Sequence, residues 1–234
     1  MNKITYAFIF ARGGSKGLPR KNIKELQGKP LIQYSIDLAN SITEFNEVFV
    51  STEDPEISNL SKLLGATVID RPPELAEDDS PEWLSWRHAI EWVINNRGEF
   101  QYFVSLPTTS PLRLMDDIIN AKDKLITSGA DVCIAITPSS RSPYFNMVTQ
   151  SKGLLNIVIN PNNAISRRQD APQVFDVTTL VYATTPDFIM SKDGIFSGNV
   201  TSIEVPKNRA VDIDDIYDFL FAETILKSQA SNDI

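Results

Sequence analysis

Residues 6–22 read Tyr6-Ala7-Phe8-Ile9-Phe10-Ala11-Arg12-Gly13-Gly14-Ser15-Lys16-Gly17-Leu18-Pro19-Arg20-Lys21-Asn22. The apolar run Tyr6 to Phe10 ends at a glycine pair, the pattern of a buried strand delivering the chain into a loop. Gly13, Gly14 and Gly17 lack Cβ atoms, so the loop is expected to turn sharply and bring backbone N–H groups close to a ligand. From Arg12 to Lys29 six basic residues (Arg12, Lys16, Arg20, Lys21, Lys24, Lys29) face one acid, Glu25, in a chain of net charge -8. Charge alone fits a solvated loop. Charge together with three glycines at the end of an apolar strand points to a polyphosphate held by backbone N–H groups and by Arg and Lys side chains. The glycines fall as G-G-x-x-G, so the dinucleotide fingerprint G-x-G-x-x-G is missing, and so is G-x-x-x-x-G-K-[ST]. That weighs against a P-loop NTPase and against a nucleotide-cofactor oxidoreductase.

Working outward, 234 residues with 42% hydrophobic and 22% charged content fit one large α/β-sized domain, or one domain with a small excursion. A pI near 4.7 argues against broad nucleic-acid or anionic-membrane binding. The basic loop is then a local pocket in a negative field. Cys133 is the only cysteine and sits in an apolar run, where a buried inert thiol is expected. His88 is the only histidine, which excludes a His-rich metal site. The N-terminus carries no signal-peptide pattern and no stretch approaches transmembrane length, so the expected location is cytoplasmic.

Downstream, helical spacing over Pro30 to Ser41, a strand at Glu47 to Thr52, a helix from Asp54-Pro55 to Leu64 stopped by Gly65, and a strand at Ala66 to Ile69 alternate. A helix from Ser80-Pro81 to Asn95, a strand at Tyr102 to Leu106, a helix at Asp116 to Ile126 and a strand at Ala130 to Thr137 continue the alternation. This predicts a mostly parallel α/β sheet with helices on both faces, and ligands outside the carboxyl ends of its strands. Trp83, Trp86 and Trp92 on the third helix are expected in the core or an interface. From Pro138 the pattern breaks: Pro143 to Thr149 and Leu154 to Ile159 read as a hairpin around Ser151-Lys152-Gly153, and a polar stretch follows from Asn160 to Gln169. The expected division is 1–137 with 176–234 as the main domain, and 138–175 as an inserted arm. Strands at Thr179 to Ala183 and Asn199 to Val205 and a helix to about Gln229 complete the chain.

Ala210-Val211-Asp212-Ile213-Asp214-Asp215 precedes that last helix. Asp212 and Asp214, two apart in extended chain, put both carboxylates on one side. Hard oxygens beside a triphosphate suit Mg²⁺. Asp215 reads as the helix N-cap and Asp218 as a first-turn acid. Capping alone does not account for Asp212.

Five stretches resemble the N-acylneuraminate cytidylyltransferases, the CMP-sialic acid synthetases and their bacterial relatives acting on similar nine-carbon sugar acids. They are 11–22, 71–80, Thr109-Ser110-Pro111-Leu112-Arg113, Arg167-Arg168-Gln169-Asp170, and Asp212-Ile213-Asp214. The resemblance implies a Rossmann-like nucleotidyltransferase sheet that transfers CMP from CTP to the anomeric hydroxyl of a 2-keto-3-deoxy sugar acid and releases pyrophosphate. It puts the triphosphate over Arg12, Gly13, Gly14, Lys16 and Lys21, with Lys21 nearest the transferred phosphoryl and Asn22 orienting phosphate or ribose. Arg71 matches a base-reading arginine, whose guanidinium can present paired donors to O2 and N3 of cytosine, with Ser80 on the same wall. Thr109, Gln169 and Tyr182 match sugar-site positions. Arg167 and Arg168 match a motif with an essential arginine that would hold the sugar carboxylate or the phosphates. Asp212 and Asp214 match the metal pair, for Mg²⁺. The inserted arm implies a homodimer in which a neighbour closes each site. Three places depart from the sialic acid pattern: Pro107 stands where those enzymes have glutamine, Thr178-Thr179 where they tend to have Asn-Gly, and Asp176 where bacterial relatives have a basic residue nearby. The sugar is therefore open, with 3-deoxy-octulosonate as an alternative acceptor. A catalytically silent nucleotide-binding subunit is an alternative of another class.

Overall fold

A computed structural model describes residues 3–160 and 167–232. In chain order the elements are β1 (Thr5–Phe10), the short pair β2 (Glu25–Leu26) and β3 (Lys29–Pro30), α1 (Leu31–Ser41), β4 (Glu47–Thr52), α2 (Pro55–Leu63), β5 (Thr67–Asp70), α3 (Glu82–Arg97), β6 (Tyr102–Ser105), α4 (Met115–Ser128) and β7 (Val132–Pro138). The hairpin β8 (Val148–Ser151) and β9 (Leu154–Ile157) follows, then β10 (Phe175–Thr184), α5 (Pro186–Ser191), β11 (Val200–Glu204) and α6 (Ile216–Asn232).

Seven strands form one sheet in the order β11-β7-β10-β6-β1-β4-β5. Every neighbouring pair is parallel except the two made by β10, which runs antiparallel to β6 and to β7. The period of two along β1 sorts its side chains between two cores. Ala7 and Ile9 face a layer containing Ile36 of α1, Ile57 of α2 and Leu125 of α4. Tyr6 and Phe8 face Trp86, Ile90 and Val93 of α3. On that second face Phe8 stacks on Phe103 at 4.3 Å and on Phe49 at 5.4 Å. Burying one such ring stabilises by about 2–3 kcal/mol. The tryptophans follow: Trp86 is buried, and Trp83 donates its indole N–H to the Lys192 carbonyl at 2.7 Å. A third cluster joins Leu18, Leu26, Leu31, Leu112, Ile213 and Phe219, so α6 packs under the foot of the glycine loop.

The helix ends use the expected chemistry. The Asp54 carboxylate accepts from the N–H groups of Glu56 and Ile57 at the start of α2. Asp215 Oδ1 accepts from the N–H groups of Tyr217 and Asp218, as an N-cap of α6, and Asp218 Oδ2 accepts in return from those of Asp214 and Asp215. The hairpin forms its own two-stranded sheet, turning at Lys152 (φ 50°) and Gly153 (φ 79°). Positive φ at both central residues is the signature of a type I′ turn, one of the two favoured two-residue hairpin turns. Gln27 (φ 51°) and Gly28 (φ 75°) make the same turn between β2 and β3, a small hairpin the sequence reading did not foresee. Among the described residues no helix is long and apolar enough to cross a membrane.

Candidate active site

The carboxyl ends of β1, β5 and β6, the bulge in β10 and the extended segment before α6 converge on a cleft of about 370 Å³. Of the residues expected there, Arg12, Gly14, Lys21, Asn22, Arg71, Ser80, Thr109, Tyr182, Asp212 and Asp214 line it.

Of the loop cations expected at the phosphate, Lys21 is less exposed than Arg12 and Lys16. Its Nζ donates to the Ile213 carbonyl at 2.6 Å and to Asp214 Oδ1 at 3.1 Å. Asn22 donates to the Arg12 carbonyl at 2.9 Å and accepts from the Thr108 hydroxyl, which locks the loop to the end of β6. The other cations of the loop divide differently from the expectation of a wholly phosphate-directed cluster. Arg20 pairs with Asp54 and Glu56, Lys29 with Asp37, and Lys24 lies 5.3 Å from the centre of the Phe219 ring. Those three are structural. Lys16 stands on the rim, paired with Asp78 at 2.8 Å.

The glycines also serve another purpose than expected. Gly13, Gly14 and Gly17 have no left-handed backbone. A Cβ on Gly13 would lie 2.5 Å from Asp54 Oδ2, and one on Gly17 would press into the Asp214 carbonyl oxygen. Close packing therefore excludes side chains there. The Gly13 N–H is already given to Glu53 Oε1 at 2.7 Å, so of the pair only Gly14 lines the cleft.

At the opposite end Arg71 is buried. It gives Nε to the Ser51 hydroxyl at 3.1 Å and Nη2 to the Ser51 carbonyl at 2.6 Å. That engages one edge of the guanidinium and leaves the Nη1/Nη2 fork for a ligand. Its carbon lies 5.7 Å from the centre of the Phe10 ring. Burial lowers its pKa, while Glu53 and Glu82 oppose the shift. Glu82, on the cleft wall, is held above the ordinary carboxylate range by desolvation, with the Trp86 indole and Arg71 pulling it back.

The third wall is built by hydroxyls. The register of β10 against β7 slips between Thr178 and Tyr182. A bulge of this kind re-aims a side chain. Here it brings Thr179 Oγ1 to 2.8 Å from Ser110 Oγ and 3.2 Å from Thr109 Oγ1. Arg113 holds both sides of this wall. The buried guanidinium donates to the Leu180 carbonyl at 2.7 Å, the Ser35 hydroxyl at 2.8 Å and the Pro107 carbonyl at 2.5 Å. Desolvation lowers its pKa to about 9. Tyr182 is pushed up to about 12 by burial and by the charges of Glu82 and Asp212.

Asp212 faces this wall. Burial lifts its carboxyl above the usual range and Asp214 adds to the effect, while Thr109, Thr179 and Lys21 lower it. Its Oδ1 is buried without a hydrogen-bond partner. An unpartnered buried carboxylate oxygen facing a cleft beside a second carboxylate is a fit donor set for Mg²⁺, which takes one or two carboxylates and completes its shell with phosphate oxygens and water. Among the described residues no group of three or more His, Cys, Asp or Glu could hold an ion alone.

Of the expected residues of the inserted arm, Arg167 and Gln169 do not line this cleft within the chain. Arg167 is exposed and closes on Asp170 through two hydrogen bonds of 2.8 and 3.0 Å, and Gln169 is exposed. The side chain of Arg168 and the backbone of 161–166 lie outside the described residues. The sequence reading did not put Glu82, Thr179 or Asp78 on its list of site residues. Glu82 and Asp78 belong to a stretch that reads as a connection and a helix start. Only the departure at Thr178-Thr179 marked that place as special. Cys133 is buried as expected, and burial pushes its thiol up to about 11.

The cytidylyltransferase family profile matches residues 6–133. The chain is 31% identical to the pseudaminic acid cytidylyltransferase of Campylobacter jejuni over 224 residues, 94% of each chain. It is 29% identical to the CMP-N,N'-diacetyllegionaminic acid synthase of the same species over 220 residues, with 93% of each covered. Its fold is similar to that of CMP:2-keto-3-deoxy-manno-octonic acid synthetase, solved in complex with CTP, at a TM-score of 0.72 and 16% identity over 97% of this chain and 99% of that one. With the profile covering more than half the chain, the protein belongs to the cytidylyltransferase family.

Proposed function

We propose that this cleft transfers CMP from CTP to the anomeric hydroxyl of a 2-keto-3-deoxy nonulosonic acid, with release of pyrophosphate. The observation that carries the reading is the meeting of Lys21, Asp214 and the unpartnered Oδ1 of Asp212 in one cleft with the free fork of Arg71. Arg12, Lys16 and Lys21 neutralise the triphosphate, and Gly14 leaves room for it. The Arg71 fork takes O2 and N3 of cytosine, whose face lies toward Phe10, with Ser80 beside it. Asn22 orients phosphate or ribose. The sugar acid lies against Thr109, Thr179 and Tyr182, and its anomeric oxygen attacks the α-phosphorus while the bond to the β-phosphate breaks. Such a step rests on positioning and charge neutralisation. Asp212 and Asp214 hold the Mg²⁺, which when bound neutralises phosphate charge and lowers the pKa of the attacking hydroxyl.

The residues 138–175 are read as an arm that joins two copies, with Arg167, Arg168 and Gln169 serving the neighbouring site. Support comes from the apolar side chains that one face of the hairpin leaves exposed, Leu155 (64%) and Val148 (55%). Such a patch on a small two-stranded sheet favours a protein contact.

The test is pyrophosphate release with CTP and Mg²⁺ across pseudaminic, legionaminic, sialic and 3-deoxy-octulosonic acids, with ATP, GTP and UTP as controls. Release with CTP and a nonulosonate, lost in Asp214→Asn, is expected. Release with octulosonate alone would move the acceptor class. CTP binding without any release would favour a silent nucleotide-binding subunit.

A further inference from the structure

Asp78 sits where a phosphate would be expected. Its Oδ1 lies 2.7 Å from Arg12 Nη1 and its Oδ2 lies 2.8 Å from Lys16 Nζ. One carboxylate thus bridges the two cations that flank the glycine loop, in the manner of a phosphate bound by two basic groups. Arg12 Nη1 is also within 3.3 Å of the Ala76 carbonyl, so the same loop offers it a second oxygen. The loop is anchored on both sides of Asp78 by parts of the nucleotide site, Arg71 before it and Ser80 after it, and all three line the cleft. Asp78 itself is about half exposed, its side chain retaining 44% of its accessible surface, so it can leave without unpacking the core.

We infer that Asp78 is a built-in competitor for the phosphate-binding cations: it holds Arg12 and Lys16 when the cleft is empty, yields them to the triphosphate of CTP, and reclaims them as pyrophosphate departs. This rests on the reading of Arg12 and Lys16 as triphosphate groups. Two physical consequences follow. An anion entering the cleft must break two ion pairs before it gains its own, which weakens short anions that lack the base to bind elsewhere. A product carrying only phosphate charge is displaced by a carboxylate tethered at high effective concentration. CTP keeps its hold through Arg71 during the exchange, whereas pyrophosphate has no such second anchor.

The experiment titrates inorganic pyrophosphate with Mg²⁺, and separately CTP, into the full chain by calorimetry at low salt, for wild type, Asp78→Asn, Asp78→Glu, Asp79→Asn and Arg12→Ala. Exposed ion pairs each contribute modestly, so loss of both pairs is expected to tighten pyrophosphate binding by about three- to tenfold in Asp78→Asn. Asp78→Glu keeps the carboxylate and is expected to remain near wild type. Asp79→Asn removes the same charge from a neighbour that touches neither cation, and is expected to change nothing. In turnover, pyrophosphate should inhibit Asp78→Asn more strongly by the same factor. Unchanged or weaker pyrophosphate binding in Asp78→Asn would overturn the inference and make Asp78 a loop anchor. An equal gain in Asp79→Asn would overturn it in favour of bulk charge. If Arg12→Ala binds pyrophosphate as well as wild type does, the phosphate reading itself fails, and the Asp78 inference with it.

Discussion

Lys21 and Asp214 are 193 residues apart in sequence, and their side chains meet at 3.1 Å. The contact closes the end of the cleft that the proposed reading gives to the triphosphate. It joins the loop after β1 to the segment before α6, and both ends rest on the cluster of Leu18, Leu31, Ile213 and Phe219. Lys21 is largely buried, with 12% of its side chain accessible, while Asp214 is open at 77%. The lysine is held in place by the Ile213 carbonyl, and the carboxylate is free to turn toward a cation or phosphate-bound water.

Replacing Lys21 by Met removes the largely buried charge that the proposed mechanism puts nearest the transferred phosphoryl. Turnover should fall by roughly a hundredfold or more, about 3 kcal/mol of transition-state stabilisation. The KM for CTP should change far less, because in the proposed reading Arg12 and Arg71 still hold the nucleotide. Steady-state pyrophosphate release under saturating sugar acid separates the two.

Arg71→Lys should damage nucleotide choice more than chemistry. A lysine is a point charge and cannot present a planar fork to O2 and N3. Cytosine N3 is an acceptor and uracil N3–H a donor, so the fork rejects uracil by leaving like donors facing each other. The ratio of kcat/KM for CTP over UTP is expected to shrink by about tenfold or more in the variant, read from parallel assays with the two nucleotides.

How much of this was legible from residues alone differs from element to element. The alternation of strands and helices was legible, because period-two apolar runs such as Tyr6 to Phe10 and caps such as Asp54-Pro55 act locally. The Gln27-Gly28 hairpin was not, since two-residue strands carry no period to read. The acidic pair was legible because Asp212 lies upstream of the cap at Asp215. The fate of the loop cations was not: Arg20, Lys24 and Lys29 look the same as Arg12 and Lys21 in sequence, and only their partners Asp54, Phe219 and Asp37 separate them. Thr179 reaches the site through a register slip in β10, which pairing with β7 imposes and the strand's own residues do not announce.

Arg113→Met should lower stability by roughly 2–5 kcal/mol, because the carbonyls of Leu180 and Pro107 and the Ser35 hydroxyl lose a buried charged donor together. Urea unfolding monitored by tryptophan fluorescence gives the value. In the fraction that folds, KM for the sugar acid should rise while CTP affinity holds, since the loosened wall carries Thr109 and Thr179.

Asp212→Asn should uncouple stability from activity. The folded-state pKa of Asp212 lies above the ordinary carboxylate value, chiefly through burial. The ionised form is therefore the one the fold disfavours. The penalty is fully present above the folded pKa and vanishes below the unfolded one. A neutral isostere removes it at pH 7, so the ligand-free variant should melt at a higher temperature than wild type, and the difference should shrink as pH is lowered toward 4. Activity should fall by about a hundredfold or more. Thermal melts at several pH values check the first part, pyrophosphate release the second.

The most direct test of the account follows the phosphorus atoms. Phosphorus NMR of the full chain with CTP, Mg²⁺ and a nonulosonic acid should show the three CTP resonances replaced by one phosphodiester signal and one pyrophosphate signal of twice its area, which is transfer of CMP. Appearance of a diphosphate-linked sugar with inorganic phosphate, or CTP left intact beside every acid in the nonulosonate class, would contradict it.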